Sequence, residues 1–128
     1  MSDSMEPTRT ILVIEDDPEQ RELFTTVLQR AGYNVITRGD ALSGLRWLEQ
    51  ILPDLIMLDI MLPGIDGVEM LHQIRESPNG RDVPVIIATA KTELNQATFR
   101  EYAISRLLFK PLLPSDLLII IEEVLDGG

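Results

Sequence analysis

DLIMLDIMLPGIDGVEML, residues 54–71, is the stretch that decides the fold of this chain. Residues 55–58 are a continuous apolar run, which reads as a strand buried on both faces. The run ends at an acid, Asp59. Pro63, Gly64, Asp66 and Gly67 then spell a loop, and a helix is expected from about residue 68 to 76. Strand, acid, loop and helix in that order make one unit of an alternating α/β chain.

The same unit recurs on both sides. Upstream, residues 10–14 form an apolar, β-branched run, followed by Glu15, Asp16 and Asp17. Asp17 is a candidate N-cap, Pro18 suits a first helical turn, and Gln20 stands three residues after the cap. Leu23, Phe24, Val27, Leu28 and Ala31 recur at helical spacing until Gly32. Residues 33–37 read as a second strand, and Asp40 caps a helix reaching about residue 51. Downstream, a fourth strand is expected over 83–88, a more polar helix from about 92 to 103, and a short fifth strand over 107–109. Pro114, Ser115 and Asp116 open a last helix that ends before Gly127. Five such units predict a doubly wound, five-stranded parallel sheet with five helices. Right-handed crossovers favour the flavodoxin-like strand order 2-1-3-4-5.

Composition narrows the function. The 128 residues suffice for one domain, expected over residues 10–126 behind a flexible tail, residues 1–9. A formal net charge of −10, with only two lysines, Lys91 and Lys110, argues against direct nucleic-acid binding. The lack of cysteine excludes disulfides, thiolate-bound zinc and thiol catalysis, and one histidine, His72, excludes a His-rich metal site. No apolar run approaches the roughly 20 residues that span a bilayer, and residues 1–9 are polar, so a cytoplasmic protein without membrane insertion is expected.

Ligands of open α/β sheets sit beyond the carboxyl ends of the strands. There the chain carries Asp16 and Asp17 after strand one, Asp59 after strand three, Thr89 after strand four, and Lys110–Pro111 after strand five. Strands one and three are neighbours in the expected order, so three carboxylates converge. They repel one another unless a cation is present, and all-oxygen ligation suits Mg²⁺. A metal, an ammonium and a hydroxyl are what a transferred phosphoryl group requires, with Asp59 as the oxygen nucleophile. Each feature alone has a plainer reading: a helix cap, a turn former, a loop.

ILVIEDD (residues 11–17), DLIMLDIMLPGIDGVEML (54–71), PVIIATA (84–90) and Lys110–Pro111 resemble the receiver domains of two-component response regulators, in their chemotaxis-regulator-like single-domain form. The resemblance implies that Asp59 is the phosphoacceptor, that Asp16 and Asp17 hold Mg²⁺, and that the Met61 backbone carbonyl adds a metal oxygen. It implies a switch hydroxyl at Thr89, a phosphoryl-pairing lysine at Lys110, a cis bond before Pro111, and a loop-ending glycine at Gly67. The implied partners are a histidine kinase or histidine phosphotransfer protein, docking on helix one and the loop after strand five, and a downstream protein or separate output domain. Small phosphoryl donors are implied as well. The domain is then a regulator rather than an enzyme, though it assists its own phosphorylation and dephosphorylation.

Leu107 departs from the family pattern, which usually has Tyr or Phe there. Either Leu107 shifts between two packings, or Phe109 supplies the bulk, or both are simply core residues. A constitutive interaction or dimerisation module with weak switching is the competing reading. The last helix is apolar over more than one stripe, which marks either a homodimer face with helix four and strand five or loose patterning. A haloacid-dehalogenase-type phosphatase would need a second Asp where Met61 stands, and a flavodoxin would need hydroxyls where residues 15–17 are acids. His72 is expected to be exposed, and Trp47 to pack at a helix edge.

Overall fold

The computed structural model describes residues 8–90 and 96–127. Its strands are β1 (Thr10–Ile14), β2 (Asn34–Arg38), β3 (Leu55–Leu58), β4 (Val85–Thr89) and β5 (Arg106–Phe109). All pair in parallel, in the spatial order β2-β1-β3-β4-β5. The helices are α1 (Pro18–Arg30), α2 (Ala41–Gln50), α3 (Gly67–Glu76), α4 (Gln96–Tyr102) and α5 (Pro114–Gly127), with a 3₁₀ turn at Pro78–Gly80. The doubly wound flavodoxin-like architecture expected from the alternating pattern is thus the architecture found.

Strand alternation divides the core in two. Leu12, Ile14, Ile56, Leu58, Val85 and Ile87 face a cluster completed by Leu48 of α2 and by Met70, Leu71 and Ile74 of α3. Ile11, Val13, Leu55, Met57, Ile86 and Ala88 face the other, with Phe24 and Leu28 of α1 and Leu117, Ile121 and Val124 of α5. Central strands apolar on both sides are what a sheet covered by helices on both faces demands. Most of the excess apolar surface of α5 is used inside the domain: Leu118, Ile120 and Leu125 also pack on this second cluster, while Ile119 remains exposed. Trp47 packs against the first cluster, and His72 is exposed with its ring edge-on to Tyr102.

Element boundaries shift by small amounts with local causes. β4 begins at Val85 rather than at residue 83, because Pro84 has no N–H to give the ladder. At its other end it includes Thr89, which pairs with Phe109 of β5. Of the expected fourth helix, residues 92–95 lie outside the described residues, as does Lys91. The described part ends at Tyr102, before Ala103 in the left-handed region (φ 54°). Asp17, Asp40 and Asp66 cap α1, α2 and α3 through side-chain bonds to the N–H groups of Glu19, Ser43 and Val68. At Gly67 a Cβ would lie 2.5 Å from that of Ile60 and 2.7 Å from its carbonyl oxygen, so the loop after β3 closes directly onto the start of α3. Among the described residues, no helix is long and apolar enough to cross a membrane.

Candidate functional site

The register between β1 and β3 builds the site. Ile14 pairs with Leu58, so Glu15 and Asp59 leave adjacent strands side by side and point the same way. The Asp59 N–H donates to the Ile14 carbonyl at 3.1 Å, and the Glu15 N–H donates to the Arg38 carbonyl at 3.0 Å. Both side chains are buried, Glu15 2% and Asp59 7% exposed, while Asp16 is exposed at the rim. One carboxylate oxygen from each of Glu15, Asp16 and Asp59 lies within 4.8 Å of the others.

Asp17 was expected to share the metal with Asp16, and its side chain is instead engaged in the helix cap. Its Oδ1 accepts the Glu19 N–H at 3.0 Å, and its own N–H donates to Glu15 Oε2 at 3.2 Å. The acid that joins Asp16 and Asp59 is Glu15, which sequence reasoning passed over. The signal that finds it is positional: Glu15 follows β1 as Asp59 follows β3, whereas Asp17 has already entered the turn into α1.

Lys110 closes the group. Its ammonium donates to Asp59 Oδ2 at 2.8 Å and to Glu15 Oε1 at 2.5 Å. The other Asp59 oxygen, Oδ1, accepts the Met61 N–H at 2.9 Å. Lys110 is placed by β5: its N–H donates to the carbonyl of Thr89 at 2.9 Å, and the Lys110–Pro111 bond is cis. Thr89 ends β4 on the same rim and is fully buried. Asp16, Asp59 and Lys110 thus lie together with Glu15, and Thr89 ends the neighbouring strand. Leu107 is half-buried against the first core cluster, and Phe109 is 43% exposed, so the reading of both as core residues is corrected for Phe109.

Burial pushes the Glu15 carboxyl above its ordinary 4.5; hydrogen bonds from Lys110 and the Asp17 N–H, with the Lys110 charge, oppose this, and the Asp59 charge adds to it. Burial by itself would lower the Lys110 pKa, but its bonds to Asp59 and Glu15 outweigh that and raise it above 10.5. Both raised values act in the same sense. Each stabilises the fold below the group's ordinary pKa, and that contribution is lost as pH rises through the folded value. Lys110 therefore matters above 10.5, and Glu15 from 4.5 upward. In chelator-treated protein, stability relative to Glu15→Gln is expected to fall as pH rises through the raised Glu15 value. Denaturant unfolding between about pH 4 and pH 8 checks this. A stability difference independent of pH would show that burial does not control Glu15.

Chemically, three carboxylates facing one ammonium are a surplus of oxygen donors of the kind that hard divalent cations take. The chain belongs to the response regulator receiver domain family, whose model matches residues 11–122. An uncharacterized 14.6 kDa protein of Leptolyngbya boryana is 35% identical over 115 residues, 88% of this chain and 87% of that protein. The DNA-binding response regulator MtrA of Mycolicibacterium smegmatis is 33% identical over 84% of this chain and 46% of its own length, so the chain spans about half of that regulator. The solved receiver domain of the sensor histidine kinase PA1611 of Pseudomonas aeruginosa superposes with a TM-score of 0.84 at 28% identity, covering 94% of this chain and 100% of that one. That structure holds a magnesium ion coordinated in its active site cleft.

Proposed function

We propose that this domain is a Mg²⁺-dependent phosphorylation switch of a two-component phosphorelay, with Asp59 as phosphoacceptor. The observation that carries the reading is the cluster of Glu15, Asp16 and Asp59 oxygens within 4.8 Å, with the Lys110 ammonium bonded to Asp59. Asp16, Asp59 and the Met61 carbonyl would hold Mg²⁺, with Glu15 in the role expected of Asp17. The metal would offset the charge of the carboxylates and of an incoming phosphoryl group. An Asp59 oxygen forms a new P–O bond as the donor's P–N or P–O bond breaks, and the leaving group departs with the electron pair. The Lys110 ammonium and the Thr89 hydroxyl would meet the phosphoryl oxygens, where charge develops.

The donor would be a histidine kinase or histidine phosphotransfer protein in the cytoplasm. A cleft lined by Gln20, Leu23 and Phe24 of α1 and by Lys110, Pro111 and Leu112 opens beside the site and suits such a partner. Output would pass through α4, β5 and α5, where Phe109 and Ile119 are exposed beside Leu113 of the intervening loop, to a downstream protein, an output domain or a second copy. Leu107 favours a second reading, constitutive binding with weak switching; equal partner affinity with and without phosphorylation would select it.

The test is intact mass after incubation with acetyl phosphate and Mg²⁺. A phosphoryl adduct that disappears in Asp59→Asn and in chelated protein is the expected result. No adduct, together with no Mg²⁺-dependent chemical shifts around Asp59 in beryllofluoride, would leave a receiver fold used for binding alone.

A further inference from the structure

The turn that carries Glu15 and Asp16 is held from behind by one side chain. Nη1 of Arg21, one turn into α1, donates to the Glu15 carbonyl at 2.8 Å and to the Asp16 carbonyl at 2.9 Å. Its guanidinium lies over Gly39, just past the end of β2: a Cβ there would come within 2.8 Å of Nη1 and 3.4 Å of Cζ. With the Glu15 N–H on the Arg38 carbonyl, Arg21 joins three segments: α1, the acidic turn and the end of β2.

Three converging carboxylates repel, and a free turn relieves the repulsion by swinging Asp16 outward. Two carbonyls clamped by one cationic donor resist that motion, because charge-assisted bonds are the strong ones. We infer that Arg21 is a positioning residue for the cation site: it holds the Glu15–Asp16 turn so that both carboxylates stay aimed at Asp59, and Gly39 exists to seat it. This rests on the metal-binding reading proposed above.

The sign of the effect separates positioning from charge. A guanidinium near a cation site opposes cation binding through space, so loss of Arg21 acting only as a charge would tighten Mg²⁺. Loss of a positioning group weakens it, by about tenfold for side chains that orient metal ligands. Gly39→Ala offers a second route, since its methyl displaces the far end of a flexible side chain and changes no charge.

The experiment is Mg²⁺ titration of folded protein, followed by amide chemical shifts, for wild type, Arg21→Met, Gly39→Ala and the double variant, with thermal melts to confirm folding. Expected are a Kd about tenfold weaker in Arg21→Met, a smaller weakening in Gly39→Ala, and a double variant no weaker than Arg21→Met alone, since both act through one contact. Hydrogen exchange at the Asp16 and Asp17 amides of the metal-free protein should rise in both single variants. Unchanged or tighter Mg²⁺ binding in Arg21→Met, or fully additive effects, overturns the inference while leaving the switch reading intact. Wild-type protein that ignores Mg²⁺ overturns both.

Discussion

Lys110→Met is expected to slow phosphorylation by acetyl phosphate about a hundredfold while leaving Mg²⁺ affinity equal or higher. The proposed role requires the rate to fall, since the ammonium, 2.8 Å from Asp59 Oδ2, would meet the phosphoryl oxygens as their charge grows. Removing one such preorganised donor typically costs a factor of 10² to 10³. The affinity moves the other way because Lys110 competes with a cation for Glu15 and Asp59. The variant also leaves those two buried carboxylates without the ammonium that bridges them. Without Mg²⁺ it should lose about 1–3 kcal/mol near neutral pH, and recover part of this as acid protonates Glu15, whose burial already favours the neutral form. Single-turnover phosphorylation by intact mass and Mg²⁺ titration give the two numbers. An unchanged rate would remove Lys110 from the phosphoryl-handling set.

Arg75→Met is expected to destabilise the fold by about 3 kcal/mol with no direct contact to the site. Arg75 lies at the end of α3 and donates to four carbonyls: Tyr102 at 2.9 Å, Gly80 at 2.8 Å, Val83 at 2.6 Å and Ala103 at 3.2 Å. It thereby ties the turn leading into β4 to the end of α4, where Ala103 holds a positive φ that L residues seldom adopt. Burial lowers its pKa, yet a guanidinium stays charged at any ordinary pH. Methionine keeps the apolar stem and abandons all four acceptors, which only partly reach water. Arg75→Lys should recover a minority of the loss, because a single ammonium cannot span the fork. Denaturant unfolding measures the change, and amide exchange should localise it to the start of β4 and the end of α4. A loss below about 1 kcal/mol would show that water replaces the guanidinium freely.

Much of this was legible along the chain. Apolar runs of four and five residues, Asp caps at 17 and 40, and the Pro–Gly loop after Asp59 are signals confined to a few neighbouring residues. The structure places β1 and β3 where those runs stand and caps α1 and α2 with those acids. The gathering of Asp59, Thr89 and Lys110 on one rim also followed, since strand order alone brings the ends of neighbouring strands together.

The sequence by itself therefore determined the succession of elements, the sheet order and which end of the sheet gathers the acids and Lys110, because hydrophobic period, capping and crossover handedness are local or topological rules. Only the tertiary structure decided which acid stands beside Asp59. Glu15 and Asp17 are two residues apart and chemically alike. The choice depends on the Ile14–Leu58 register and on Asp17 giving its carboxylate to the α1 N-terminus. The same holds for Arg75, whose acceptors at Tyr102 and Ala103 lie 27 and 28 residues away, for Arg21 seated on Gly39, and for Phe109 left at the surface. A side chain's partner across the fold is set by distances that exist only once the strands have paired and the helices have packed.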